Sequence, residues 1–117
     1  MLKQKCALVT GSVAGLGYAI AARLAAEGAN VVLNGLCAPG EGEASAARIA
    51  GEHGVEAVFD PADLTSVAEI ERMMAAAAAR FGGVDILVNN AVVRNFALVE
   101  DMATAQWDRA IAVNLSA

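Results

Sequence analysis

The sequence predicts an α/β fold: a doubly wound parallel sheet in the strand order 3-2-1-4. Three observations predict it. Four short runs, residues 6–10, 30–34, 56–60 and 85–89, carry Val, Leu, Ile and Phe in the manner of strands buried on both faces. Segments with helical spacing separate them, which gives a β-α-β-α-β-α-β-α series. A glycine-rich turn, residues 10–17, joins the first run to the first helix. Right-handed crossovers between parallel neighbours place a ligand crevice at the carboxyl ends of strands 1 and 4, where the winding reverses.

Each element has its own local reason. After the first strand, Gly11 lets the chain turn tightly, Gly15 lets backbone approach a ligand, and Gly17 lets helix pack closely on strand. In the first helix Leu16, Ile20 and Leu24 recur at i, i+4 and i+8, and Gly28 is placed to end it. The second helix spans 41–53, with Ala46, Ile49 and Ala50 on one face and Gly54 closing it. Ser66 and Glu69 have the spacing of a capping box. Behind them Val67, Ile70, Met74, Ala77 and Phe81 form a single stripe, and Gly82-Gly83 stops the helix. A further helix begins near Thr104 and includes Trp107 and Ile111.

Composition narrows the function classes. A chain of 117 residues is one small domain, and no internal repeat or linker divides it. Although 57% of residues are hydrophobic, much of that is alanine, and no uncharged apolar stretch approaches the ~18 residues of a membrane helix. The start, Met1-Leu2-Lys3-Gln4-Lys5, runs straight into the first strand without space for a signal peptide, so the expected location is cytoplasmic. A net charge of −5 with no basic cluster disfavours nucleic acid and anionic membranes as partners. Cys6 and Cys37 have no metal-ligand spacing, and His53 sits where a helix C-terminus favours a cation, so no metal site is expected.

Strand, glycine turn and helix in this order form a dinucleotide-binding context. The helix start offers free N–H groups and a positive dipole end to phosphates. Gly11, Ser12, Gly15, Leu16 and Gly17 are the expected lining residues. After strand 3, the Asp63 carboxylate is placed to accept an adenine amino hydrogen, with the Leu64 backbone completing the contact. After strand 4, Asn89-Asn90-Ala91 provides amides that tie strand ends together. Asn114 lies in an apolar helical segment, where asparagine needs a partner.

Taken together, these residues resemble the short-chain dehydrogenase/reductase family, classical type. Its pattern TGxxxGxG is similar to residues 10–17, its Asp-Leu pair to Asp63-Leu64, its NNAG to Asn89-Asn90-Ala91, and its helix asparagine to Asn114. The resemblance covers essentially the whole chain and implies a Rossmann-type domain. Within the family, Val31-Val32-Leu33-Asn34-Gly35, residues 97–101 and residues 106–117 look most like the branch that oxidises 3-hydroxybutyrate to acetoacetate. The resemblance implies that Gly11, Ser12, Gly15, Leu16, Gly17, Asp63, Leu64, Asn90 and Ala91 line the cofactor, and that Asn114 is a catalytic residue holding a water in the proton path. NAD is the expected cofactor over NADP, because Val13, Ala14, Gly35 and Leu36 offer no cation to a 2′-phosphate. The usual ribose-gripping acid is also absent, which leaves Asn34 or local backbone to substitute.

The family's chemistry needs a serine and a YxxxK tyrosine, whose phenol titrates near ~10 unless a cation lowers it. Neither follows Asn114, and Tyr18, the only tyrosine, is followed by Ala19-Ile20-Ala21-Ala22. The expectation is the N-terminal part of a single NAD(P)-binding domain, inactive alone, with the catalytic half absent. Two places depart from the pattern. Val92 replaces the family's glycine after Asn-Asn-Ala, and Val13 and Ala14 stand where the glycine turn commonly has hydroxyl residues. Arg94 sits where the resemblance implies a glutamine near the substrate carboxylate. Arg94 has two readings, a bidentate grip on that carboxylate or a solvated loop arginine. The alternatives to a hydroxy-acid dehydrogenase are a non-catalytic nucleotide-binding or interaction module and an NADP-dependent 3-oxoacyl reductase relative. An open strand-4 edge would favour self-association.

Overall fold

The computed structural model describes residues 2–91. The chain runs β1 (Cys6–Val9), α1 (Gly15–Ala26), β2 (Asn30–Asn34), α2 (Glu41–His53), β3 (Ala57–Asp60), α3 (Val67–Phe81) and β4 (Ile86–Val88). All pairings are parallel, in the order β3-β2-β1-β4, as the sequence predicts. β1, β3 and β4 are shorter than expected, and at their ends side-chain bonds join those of the backbone. Asp85, for example, takes the Cys6 N–H on its carboxylate at 2.9 Å. The expected helix near Thr104 lies outside the described residues.

β1 is buried along its length because helices cover both sheet faces. Alternation along the strands divides the core in two. Ala7, Val9, Val31 and Leu33 pack with Ala21 and Ala25 of α1 and with Ala46 and Ile49 of α2. On the other face Cys6, Leu8 and Val32 pack with Met73 and Ala77 of α3 and with Ala62 and Leu64.

The buried face of α1 differs from the one predicted. Gly17, Ala21 and Ala25 face the sheet; of the expected stripe, Ile20 and Leu24 pack half-buried beside them and Leu16 is 71% exposed. Leucine spacing marks the largest side chains, whereas close approach of helix to sheet selects the row of smallest ones. In α3 the buried centre is Met73 and Ala77, with Ile70, Met74 and Phe81 beside it; Val67, expected on the stripe, is exposed. α2 ends at Gly54 in the left-handed conformation, as expected, and adds Gly42 and Ser45 to its buried face, with Ala50 only half-buried.

The capping box at Ser66 is half formed. Ser66 Oγ accepts the Glu69 N–H at 3.3 Å. The Glu69 carboxylate does not return to Ser66 but accepts the Asp63 N–H at 3.0 Å, while the Ser66 N–H goes to the Asp63 carbonyl. The helix start is therefore joined to the turn that precedes it. Among the described residues no helix is long and apolar enough to cross a membrane.

Candidate nucleotide-binding site

The glycine turn leaves β1 at the switch point between β1 and β4. Gly15 begins α1 with φ +66°, a conformation that disfavours any side chain, and a Cβ placed there would meet nothing within 4 Å. Backbone thus faces open space at the helix start, where the N–H groups of the first turn lack helical partners. Gly17 serves closeness instead. A Cβ on it would overlap the Gly11 carbonyl and stand 2.6 Å from Asn90 Nδ2. These residues fit a pyrophosphate: an open backbone cradle, a positive helix end and no acidic residue in the first turn of α1.

Thr10 locks this turn to the one after β4. Its Oγ1 accepts the N–H groups of Asn90 and Ala91, both at 3.0 Å, and lies 3.4 Å from the Val88 carbonyl. Asn90 Nδ2 donates to the Gly11 carbonyl at 3.0 Å. Asn90 therefore holds the strand ends together with its side chain, and Ala91 lies against Gly11.

Ser12 is placed differently from the lining role expected of it. Its side chain is fully buried; Oγ donates to the Val9 carbonyl at 2.6 Å and accepts the Asn34 N–H at 3.0 Å. It braces β1 against β2, and its backbone N–H donates to the Asn34 carbonyl at 2.8 Å. Asn34 cannot stand in for a ribose-gripping acid, a correction to the sequence reading. It is 1% exposed, and its Nδ2 donates to the carbonyls of Asp60 and Ala62, each at 3.1 Å. Val13, whose side chain packs over Gly35, fills the space beside the end of β2.

Beyond β3 the chain turns through residues 60–65. Asp63 Oδ1 accepts from Thr65 N–H at 2.9 Å and Thr65 Oγ1 at 2.7 Å, an Asx turn that sets the carboxylate's direction. Leu64 is buried against α3, so its side chain is withdrawn from any ligand. Asp60, nearly buried, is gripped by Arg72 through two bonds, Nη1 to Oδ2 at 3.0 Å and Nη2 to Oδ1 at 2.6 Å. Hydrogen bonding to Asp60, with the attraction of its charge, raises the Arg72 pKa above the ordinary guanidinium value. Arg72 and Asp60 went unnoticed in the sequence because they lie 12 residues apart on different elements. The only local signal was an acid at a strand end before Pro61.

The structure thus brings Gly11, Gly15, Leu16, Gly17, Asn90 and Ala91 to the switch point, and places Asp63 and Leu64 just past the end of β3, on the other side of β2. Asn114, Arg94 and Val92 lie outside the described residues. No Lys or Arg occupies Val13, Ala14, Gly35 or Leu36. A family model described as short chain dehydrogenase matches residues 5–117, and the chain belongs to this family.

The chain is 52% identical over 112 residues to the D-beta-hydroxybutyrate dehydrogenase of Rhizobium meliloti, covering 96% of this chain and 43% of that one. It is 47% identical over 117 residues to the enzyme of the same name from Cupriavidus necator, covering 99% and 44%. In both cases it aligns with the N-terminal part, so it spans less than half the length of these relatives. A short chain dehydrogenase from Burkholderia cenocepacia, solved in complex with NADP, superposes with a TM-score of 0.90 at 36% identity, covering 98% of this chain and 46% of that one.

Proposed function

We propose that this chain is the dinucleotide-binding part of a dehydrogenase that oxidises a small 3-hydroxy acid, 3-hydroxybutyrate, with NAD. The observation that carries the reading is the paired turn at the ends of β1 and β4, held by Thr10 and Asn90 around an open Gly15 cradle. The likeness to two D-beta-hydroxybutyrate dehydrogenases supports the substrate class. Bound NAD supplies the hydride acceptor for the alcohol carbon.

The chain's own residues do the holding. The N–H groups of the first turn of α1 meet the pyrophosphate, Gly11 and Ala91 line the cofactor beside it, and Asp63 with the Leu64 backbone takes the adenine edge. Asn114 orders water for proton movement, and Arg94 pairs with the substrate carboxylate. The base that takes the alcohol proton belongs to the part of the domain that this chain does not include.

NAD is favoured over NADP because a 2′-phosphate would arrive beside Val13, Gly35 and Leu36 with no cation to meet it. The relative from Burkholderia cenocepacia was solved with NADP, so the cofactor choice is argued from the side chains at these positions and not from the fold. The test is calorimetric titration of the folded chain with NAD, NADP and AMP. Saturable binding of NAD and AMP, with NADP at least about tenfold weaker, is expected for a phosphate lacking one charge-assisted partner. Equal or tighter NADP binding contradicts the cofactor assignment, and binding of none of the three contradicts the proposal.

A further inference from the structure

The turn through residues 60–65 takes little of its shape from ladder hydrogen bonds of the sheet. Side chains from three elements hold it instead. From β2, Asn34 Nδ2 donates to two of its carbonyls, those of Asp60 and Ala62. From β3, Asp60 Oδ1 accepts the Ala62 N–H at 3.0 Å. From α3, Arg72 grips both oxygens of the same carboxylate, and Glu69, one helical turn before it, takes the Asp63 N–H. Pro61 removes one backbone degree of freedom between these anchors. A nearly buried carboxylate carries a large desolvation cost, and this one is satisfied only while Arg72 is present on one side and the Ala62 N–H on the other.

We infer that Asn34, Asp60 and Arg72 form a positioning network that sets the Asp63-Leu64 turn, and that Arg72 thereby controls which purine base the site accepts. The inference rests on the reading above, in which this turn meets the adenine. A carboxylate acceptor beside a backbone N–H donor matches adenine, whose 6-amino group donates and whose N1 accepts. Hypoxanthine reverses both roles, with a 6-oxo acceptor and an N1–H donor. Discrimination between these bases depends on holding the two recognition atoms in place, because misplaced polar groups find water instead. The network also accounts for the end of β2. Asn34 is turned inward to brace the turn, and so is lost to the ribose.

The test titrates the full chain with NAD and with nicotinamide hypoxanthine dinucleotide, for the wild type, Arg72→Met and the double variant Asp60→Asn/Arg72→Met. The double variant leaves no stranded buried charge and keeps the side-chain shape, so it reports even where the single variant fails to fold. The wild type is expected to prefer NAD by roughly tenfold or more, the worth of one mismatched polar pair. In both variants NAD affinity is expected to fall about tenfold while the hypoxanthine analogue changes by less than about threefold, so the preference collapses toward one.

An unchanged preference in a variant with native circular dichroism overturns the inference, as does an equal loss of both ligands. Unfolding of both variants assigns the network to stability alone and also overturns it. A wild type that binds NAD without preferring it removes this inference but not the proposed function; a wild type that binds neither ligand removes both.

Discussion

At Thr10 one hydroxyl oxygen accepts two backbone N–H groups from the opposite turn, which an isosteric valine cannot do. Thr10→Val is expected to cost about 1–3 kcal/mol, the price of two partly buried donors left without an acceptor. Denaturant titration would measure it, and a cost within error of zero would show that the two turns are joined by packing alone. Cys6 offers a second test at this scale. Burial pushes its thiol pKa up, and the Asp85 carboxylate beside it adds to the shift. A folded-state pKa above the unfolded one means that stability is whole below about pH 8.5, the ordinary thiol value, and declines as pH rises past it. Melting temperature followed from pH 7 to 10 should fall more steeply for the wild type than for Cys6→Ala. Parallel slopes would remove Cys6 from the account.

Among elements, the strands and their order were legible in the sequence, because short branched runs between helical segments leave few topologies open. Helix limits were legible too, since Gly54 and Gly82 both close their helices in left-handed geometry. The buried faces were harder. α1 turns its small row inward because Gly17 must clear the Gly11 carbonyl, a contact between residues that spacing alone cannot relate. The site shows the same division. Its glycines were evident, whereas the inward turn of Ser12 and Asn34 arises from a bond between β1 and β2. The half-formed cap of α3 gives an element-scale prediction. Ser66→Ala is expected to cost about 1 kcal/mol, as loss of an N-cap acceptor generally does. It should also raise hydrogen exchange at Glu69; protection equal to wild type would show that the cap contributes nothing.

For the whole molecule, β3 and β4 are the edge strands of the sheet among the described residues, and Leu87 in β4 is 47% exposed. An unpaired apolar edge templates pairing with another chain. The 117-residue chain is therefore expected to elute in size-exclusion chromatography well above its monomer mass of 11.9 kDa. Elution as a compact monomer at high concentration would show that the edge is covered. The opposite end of the sheet supplies a rival surface, a groove lined by Lys3, Gln4, His53 and Glu56. Ligand binding there would have no relation to the glycine turn.

The most direct test of the central claim is therefore where NAD binds, read from backbone amide shifts in a titration followed by nuclear magnetic resonance. Saturable shifts at Gly11, Gly15, Leu16, Gly17, Asp63, Leu64 and Ala91 are the expected result, and they would place pyrophosphate at the helix start and adenine at the turn beyond β3. Shifts confined to Lys3, His53 and Glu56, or no saturable shifts from a folded chain, would contradict it.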